Sequence, residues 1–211
     1  MPVVLDYGAT VEGEVTAAAQ VAYYAFEGAY GDIIDIQVFT QSGGANADTV
    51  LTLYGSPQFQ QLAHDDDRGQ GFDPEIMRQL LTLDGTYIIA VRPFTRGDTA
   101  AFTLSLARAP ESALDAGPQR VRMDKHPYNA TLTFEGRAGE MVRLVLEVVR
   151  GVNTPVVQVT QRDATLFALS ATSSSRLASD FVVPKDGTVL VQLEGGGFSE
   201  GTIEVSIERL E

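Results

Sequence analysis

The chain has no cysteine and no tryptophan, and it is poor in positive charge. Without cysteine, neither disulfides nor a thiolate metal site can hold it together. Without tryptophan, it lacks a common platform for sugar and peptide recognition. Its 15 Lys and Arg face 28 Asp and Glu, for a net charge of −13. That balance argues against nucleic acid and against anionic membrane surfaces as partners. No apolar run approaches the ~20 residues needed to span a bilayer. The opening Met1-Pro2-Val3-Val4-Leu5-Asp6 shows no basic segment followed by an apolar one, so no signal peptide is visible. An exported form would have lost its signal or would carry it outside this chain.

What is present reads as β-structure. Val21–Phe26 and Ile34–Phe39 alternate or are rich in β-branched and aromatic residues. Strand-like runs return at short intervals, separated by Gly, Asp and Pro turns, as in a sandwich. The spacing predicts strands near residues 10–15, 21–27, 32–40, 49–55, 59–64, 76–83, 86–93 and 99–107. Asp73-Pro74 followed by Glu75–Leu81 has a helical start signal, and is read here as a turn followed by a strand.

The chain repeats itself once. Phe26-Glu27-Gly28 returns as Phe134-Glu135-Gly136, and Asp84-Gly85-Thr86 returns as Asp186-Gly187-Thr188. Leu5-Asp6-Tyr7-Gly8 is echoed by Leu114-Asp115-Ala116-Gly117, and Phe102–Leu106 by Ile203–Ile207. Two copies at this spacing mean tandem domains and not a solenoid. The expected fold is all-β: two tandem jelly-roll-like β-sandwiches of about eight strands each. The expected division is 1–108, a linker at 109–113, and 114–211.

Four stretches of the first half, in order, carry a resemblance. They are Asp48–Tyr54, Leu62-Ala63-His64-Asp65-Asp66-Asp67, Asp84-Gly85-Thr86-Tyr87-Ile88, and Ala101–Leu106. An Asp-opened strand, an acidic stretch, a Gly-Thr-Tyr strand and a final alternating strand resemble the bacterial pre-peptidase C-terminal (PPC) domain family. The match spans about residues 5–108. The resemblance implies a secreted β-sandwich that serves as an accessory module and not as a catalyst. It also implies calcium, which some PPC-like domains hold. In the second half, Thr154 stands for Asp48, Ala171-Thr172-Ser173 for the acidic triplet, and Val189 for Tyr87. The second copy keeps the framework and lacks the acids.

The acidic residues are the candidate site. Asp65, Asp66 and Asp67 are consecutive, with Asp73 and Glu75 downstream and Asp48 on a neighbouring strand. Adjacent carboxylates repel one another unless solvated or neutralised. Calcium neutralises such groups well, taking six to eight oxygens in flexible geometry. Asp48, Asp65, Asp67 and Asp73 are the candidate ligands. By strand alternation Asp65 and Asp67 share a side and Asp66 points to solvent. The spacing does not make an EF-hand, since Ile76 sits where its bidentate Glu belongs. The other reading is a solvated acidic hairpin tip. Residues 1–108 hold 14 acidic and 5 basic side chains, and 109–211 hold 14 and 10. The cluster therefore lies in the more negative half.

Catalytic patterns fail on context. Gly197-Phe198-Ser199-Glu200-Gly201 spells the nucleophile-elbow motif, but Thr202–Ile207 alternates as a strand where that motif needs a helix. Ser199 is read as part of a glycine-rich hairpin loop. His64 and His126 are the only histidines, one per half. His64 reads as a surface residue beside the acids, and His126 as a turn residue before Pro127. Most tyrosines fall in expected strands, where packing is their ordinary role. Asn129-Ala130-Thr131 is a glycosylation sequon.

These readings point to a non-enzymatic accessory or binding module, extracellular or on the cell surface, stabilised by calcium. Its expected partner is a protein or a cell-surface polymer. The alternative is a self-assembling subunit of a surface layer or filament, joined through strand edges by β-augmentation.

Overall fold

The computed structural model describes residues 1–43, 47–55, 58–109, 113–123, 128–151, 155–170, 174–195 and 201–210. The chain forms two compact units, Met1–Pro110 and Glu111–Glu211. Both are built almost entirely of strands.

The first unit runs β1 (Val3–Val4), β2 (Thr10–Val15), β3 (Ala22–Gly28), β4 (Ile33–Gly43), β5 (Thr49–Gly55), β6 (Gln60–Asp65), β7 (Glu75–Leu80), β8 (Gly85–Pro93) and β9 (Ala100–Arg108). One sheet has the order β1-β3-β8-β5-β6, and the other β2-β9-β4-β7. Successive strands mostly change sheets, as in a jelly roll. The segment opened by Asp73-Pro74 is a strand and not a helix. Its start signal loses to the pairing of Ile36 with Ile76 and Ile33 with Leu80. The short β1 has no expected counterpart. It pairs parallel to β3, with Val3 opposite Tyr24.

The second unit starts with a single 3₁₀ turn, Leu114–Ala116. It continues as β10 (Gln119–Met123), β11 (Tyr128–Gly136), β12 (Met141–Arg150), β13 (Val156–Gln161), β14 (Ala164–Leu169), β15 (Arg176–Val182), β16 (Gly187–Gly195) and β17 (Gly201–Leu210). Its sheets are β11-β16-β13-β14 and β10-β17-β12-β15. Each strand takes the place of one in the first unit. The residue register agrees as well. Phe26 faces Tyr87 and Gly28 faces Gly85, while Phe134 faces Val189 and Gly136 faces Gly187.

Period-two alternation supplies the cores, because side chains two apart line one face. Phe102, Leu104 and Leu106 of β9 pack inward with Ile34, Ile36 and Val38 of β4 and with Phe26, Tyr87, Ile89 and Val91 of the facing sheet. In the second unit Ile203 and Val205 meet Val142, Leu144, Leu146 and Phe134. Phe26 and Tyr87 stack at 5.4 Å. Phe134 instead lies 6.3 Å from Phe181.

Of the expected linker, Pro110, Glu111 and Ser112 lie outside the described residues. Ala109 is buried and donates its N–H to Ile33, 2.8 Å away. Ala113 bridges Thr133.

Candidate functional site

The acidic residues gather at one end of the first unit, around the connection from β6 to β7. This connection is not the expected hairpin tip. β6 pairs with β5 and β7 with β4, so residues 66–74 cross from one sheet to the other. A crossing loop lacks the ladder that supports a hairpin, and its backbone donors need other acceptors.

Asp65, the last residue of β6, supplies them. Its carboxylate is buried, and Oδ2 accepts the N–H of Arg68 at 3.0 Å and of Glu75 at 2.9 Å. Arg68 Nε lies 3.3 Å from its Oδ1. One carboxylate therefore pins both ends of the loop. Asp73 plays a second anchoring part, its Oδ1 accepting the N–H of Thr40 at 2.8 Å. Gly69 donates to the carbonyl of Asp73, and Val38 to that of Pro74.

The alternation expected through the triplet ends with the strand. Asp65 is buried, Asp66 is half-buried and Asp67 is exposed. The chain bends after Asp65, so Asp65 and Asp67 do not share a side as strand residues do. Asp48 stands just before β5, where its carbonyl accepts the N–H of Phe94 at 3.0 Å. Its Oδ1 is buried without a hydrogen-bond partner. Burial pushes the Asp48 carboxyl above the usual carboxylate range. The charges of Asp67, Asp66 and Asp73 add to this, while the Thr49 N–H opposes it.

Asp48 thus feels the charges of Asp66, Asp67 and Asp73, and Asp65 is tied to the backbone. Among the described residues, no three His, Asp or Glu side chains converge closely enough to form a metal cage. The arrangement offers a negative end with one unsatisfied oxygen. Beside it, Gln37, Phe39, Arg68, Gln70, Asp73 and Glu75 line a polar recess of about 290 Å³.

His64 is exposed, with Nδ1 3.0 Å from Thr52 Oγ1 on the outward face of the sheet. Gly201–Leu210, after the serine motif, is a strand, as the alternation predicts. The strands on either side of the motif, β16 and β17, lie in different sheets and do not pair as a hairpin. Ser199 itself lies outside the described residues, as do His126, Thr154, Ala171, Thr172 and Ser173. The Asn129 side chain also falls outside them.

Sequence reasoning missed a second carboxylate of consequence. Asp32 is buried, accepts Tyr7 Oη at 2.7 Å and the Ala29 N–H at 2.9 Å, and pairs with Arg108. Its place after a Gly31 with positive φ marks a turn acid, a signal present in the letters.

No protein-family model matches the chain, and comparison with curated proteins found no match. Among solved structures, it is similar to the pre-peptidase C-terminal domain of collagenase from Bacillus anthracis. That likeness has 19% identity and a TM-score of 0.40, covering 50% of this chain and 94% of that one. A turret protein of Sulfolobus turreted icosahedral virus is 10% identical, with a TM-score of 0.25, over 97% of this chain and 98% of that one. The CBM22-1–CBM22-2 tandem domain of Paenibacillus barcinonensis Xyn10C is 11% identical, with a TM-score of 0.26, over 95% and 87%.

Proposed function

We propose that the chain is a non-catalytic, extracellular binding module whose contact end is the acidic loop end of the first unit. The carrying observation is the division of labour among its carboxylates. Asp65 holds the loop in place, and Asp48 keeps a buried oxygen without a partner while three further carboxylates press on it. A fixed, electronegative end of this kind suits recognition of a cation or of a cationic group on a partner. The placement outside the cell, and the partner class of protein or cell-surface polymer, rest on the resemblance of the residue 48–106 motifs.

Calcium is the proposed cation. Since no three described carboxylates converge on one point, it would be held at Asp48 chiefly through water, with Asp67 and Asp73 contributing their charge from nearby. Asp65 keeps its framework role. Because the carboxylates do not form a closed cage, binding belongs to the weak extracellular range, with Kd on the order of 10⁻⁴–10⁻³ M. At tenfold excess over Kd, calcium would stabilise the first unit by about 1.4 kcal/mol.

Melting in calcium and in chelator tests this reading. Calcium should raise the first transition by a few degrees, and Asp48→Asn with Asp67→Asn should abolish the rise. Identical curves would remove calcium from the account. Esterase or peptidase turnover that survives purification and is lost in Ser199→Ala would sink the non-catalytic reading.

A further inference from the structure

Every sheet ends in two edge strands, whose outer N–H and C=O groups are open to pairing. Shortness or charge guards most of these edges. β1 has only 2 residues. Glu12 lies in β2, Asp65 in β6, Arg78 in β7, Arg120 in β10, Glu135 in β11 and Asp180 in β15. The edge strand β14 has neither guard. It reads Ala164-Thr165-Leu166-Phe167-Ala168-Leu169, without charge, proline or glycine, and none of its 6 residues is buried. Uncharged edges of this composition template strand addition. The equivalent strand of the first unit, β6, is Gln60-Gln61-Leu62-Ala63-His64-Asp65, so the sandwich does not require an apolar strand at this place.

The core is left half open under this edge. Leu166 and Phe167 pack against the second unit's core yet remain partly exposed. Leu169 stands opposite the buried Val157, on the same inner side. A strand added beyond β14 would cover all three. On the outer side, Thr165 is opposite Thr160 and Ala168 is opposite Gln158, which in turn is opposite Gln192. That surface is uncharged as well. A bulge at Leu166 leaves Phe167, Ala168 and Leu169 as the regular part of the strand.

Side-chain pattern and charge name the occupant. Across a new ladder, inner residues must oppose inner residues, or apolar side chains turn to water. β14 of a second copy meets this condition. Antiparallel pairing about Ala168 sets Phe167 of each copy opposite Leu169 of the other, and Ala168 opposite itself on the outer side. The acid nearest in sequence is Asp163. The two Asp163 residues then stand at opposite ends of the ladder, about 30 Å apart. On β15, the next edge strand, Arg176 and Asp180 are paired with Glu147 and Arg143 of their own unit. Residues 109–211 hold 14 acidic and 10 basic side chains against 14 and 5 in residues 1–108, so two chains of net charge −13 repel least through this half. We propose that β14 of a second copy adds to β14 here, antiparallel about a two-fold axis through Ala168, joining two four-stranded sheets into one. The same edge serves both copies, so assembly closes at an isologous dimer and does not run on as a filament. The proposal is independent of calcium and of the acidic end.

Sedimentation velocity of the whole chain, up to about 1 mM, tests it, since a pairing this short belongs with small, transient interfaces. Wild type should pass from monomer to dimer and no further. Ala168→Lys and Ala168→Glu each set like charges face to face across the axis. Each should weaken the dimer about tenfold or more. Their circular dichroism spectra should be unchanged, because Ala168 is exposed. An equimolar mixture of the two variants should dimerise again, since lysine then faces glutamate. Gln61→Lys, on the equivalent edge of the first unit, should leave the dimer as it is. A wild-type chain that stays monomeric throughout overturns the proposal, and so does a dimer that withstands both Ala168 variants. Oligomers that grow beyond two copies overturn the closed two-fold. A mixture that stays monomeric overturns the register through Ala168.

Discussion

Arg108 reaches back from the end of β9 to Asp32, and its Nη2 stands 2.8 Å from the carboxylate Oδ1. The second unit repeats the corner with other letters. Arg209 pairs with Glu140, which also accepts the N–H of Arg137, as Asp32 accepts that of Ala29. The shared task is to tie the turn before β4 in one unit, and before β12 in the other, to the last strand of that unit. The two corners differ in burial. Asp32 is 4% exposed and carries the Tyr7 hydroxyl, whereas the Glu140 side chain is 15% exposed beside a half-open Arg209. Asp32→Ala would leave buried donors unpaired, so it should cost about 2–4 kcal/mol. Arg209→Ala should cost about 1 kcal/mol or less. Urea unfolding of the two variants checks the order.

The same repeat explains how far the letters carried. Asp84-Gly85-Thr86 and Asp186-Gly187-Thr188 recur because each residue does the same work twice. Asp84 accepts the N–H of Tyr30 at 2.8 Å, and Asp186 that of Ala138 at 2.9 Å. Gly85 and Gly187 both have positive φ, at 142° and 118°. Thr86 donates to Glu27 at 2.6 Å, and Thr188 to Glu135 at 2.7 Å. The all-β fold and most strand positions were readable for that reason. The fate of the acidic triplet was not. A run of aspartates looks the same whether its first member is a ligand or a loop anchor. Only the sheet crossing after Asp65 decides, and that depends on which strands pair at long range.

The Glu140 corner should have a signature in acid. A hydrogen bond from Arg209 holds the Glu140 carboxyl below its usual range, against a smaller opposing effect of burial. A carboxyl depressed in the folded state stabilises above its unfolded pKa, and that stability is lost as pH falls through the folded value. The loss therefore belongs below pH 4.5, the ordinary value for this group. Arg209→Ala should flatten this part of the stability curve for the second unit and leave the first unit's curve alone. Melting temperatures across the acid range read both.

Asp65 is expected to matter for folding whatever the calcium level. Its buried carboxylate accepts two backbone N–H groups, from Arg68 and Glu75. Asp65→Ala strands both donors at the loop ends and should cost about 2–4 kcal/mol. Asp65→Asn keeps one good acceptor and should cost less. If Asp65 were chiefly a calcium ligand, its loss would be small in chelator and large in calcium. Equal losses in the two buffers mark the anchor.

Asp48 should behave in the opposite way. Its carboxyl is raised above the ordinary 3.8, first by burial and then by Asp67, Asp66 and Asp73. A raised carboxyl costs nothing while it is protonated in both the folded and unfolded states. The cost appears as pH climbs past the unfolded value and is fully present above the folded one. Asp48→Asn removes the charge and keeps the shape. The variant should melt a few degrees above wild type at neutral pH in chelator, and the gain should fade as pH falls towards 3.8 and be absent below it. Calcium should reverse the comparison, because it relieves the wild-type repulsion and the variant offers it one carboxylate fewer. A gain of equal size in calcium and in chelator would show that Asp48 carries the cost of its charge without serving a cation. A variant no more stable than wild type at neutral pH would mean that the unpaired oxygen is solvated after all.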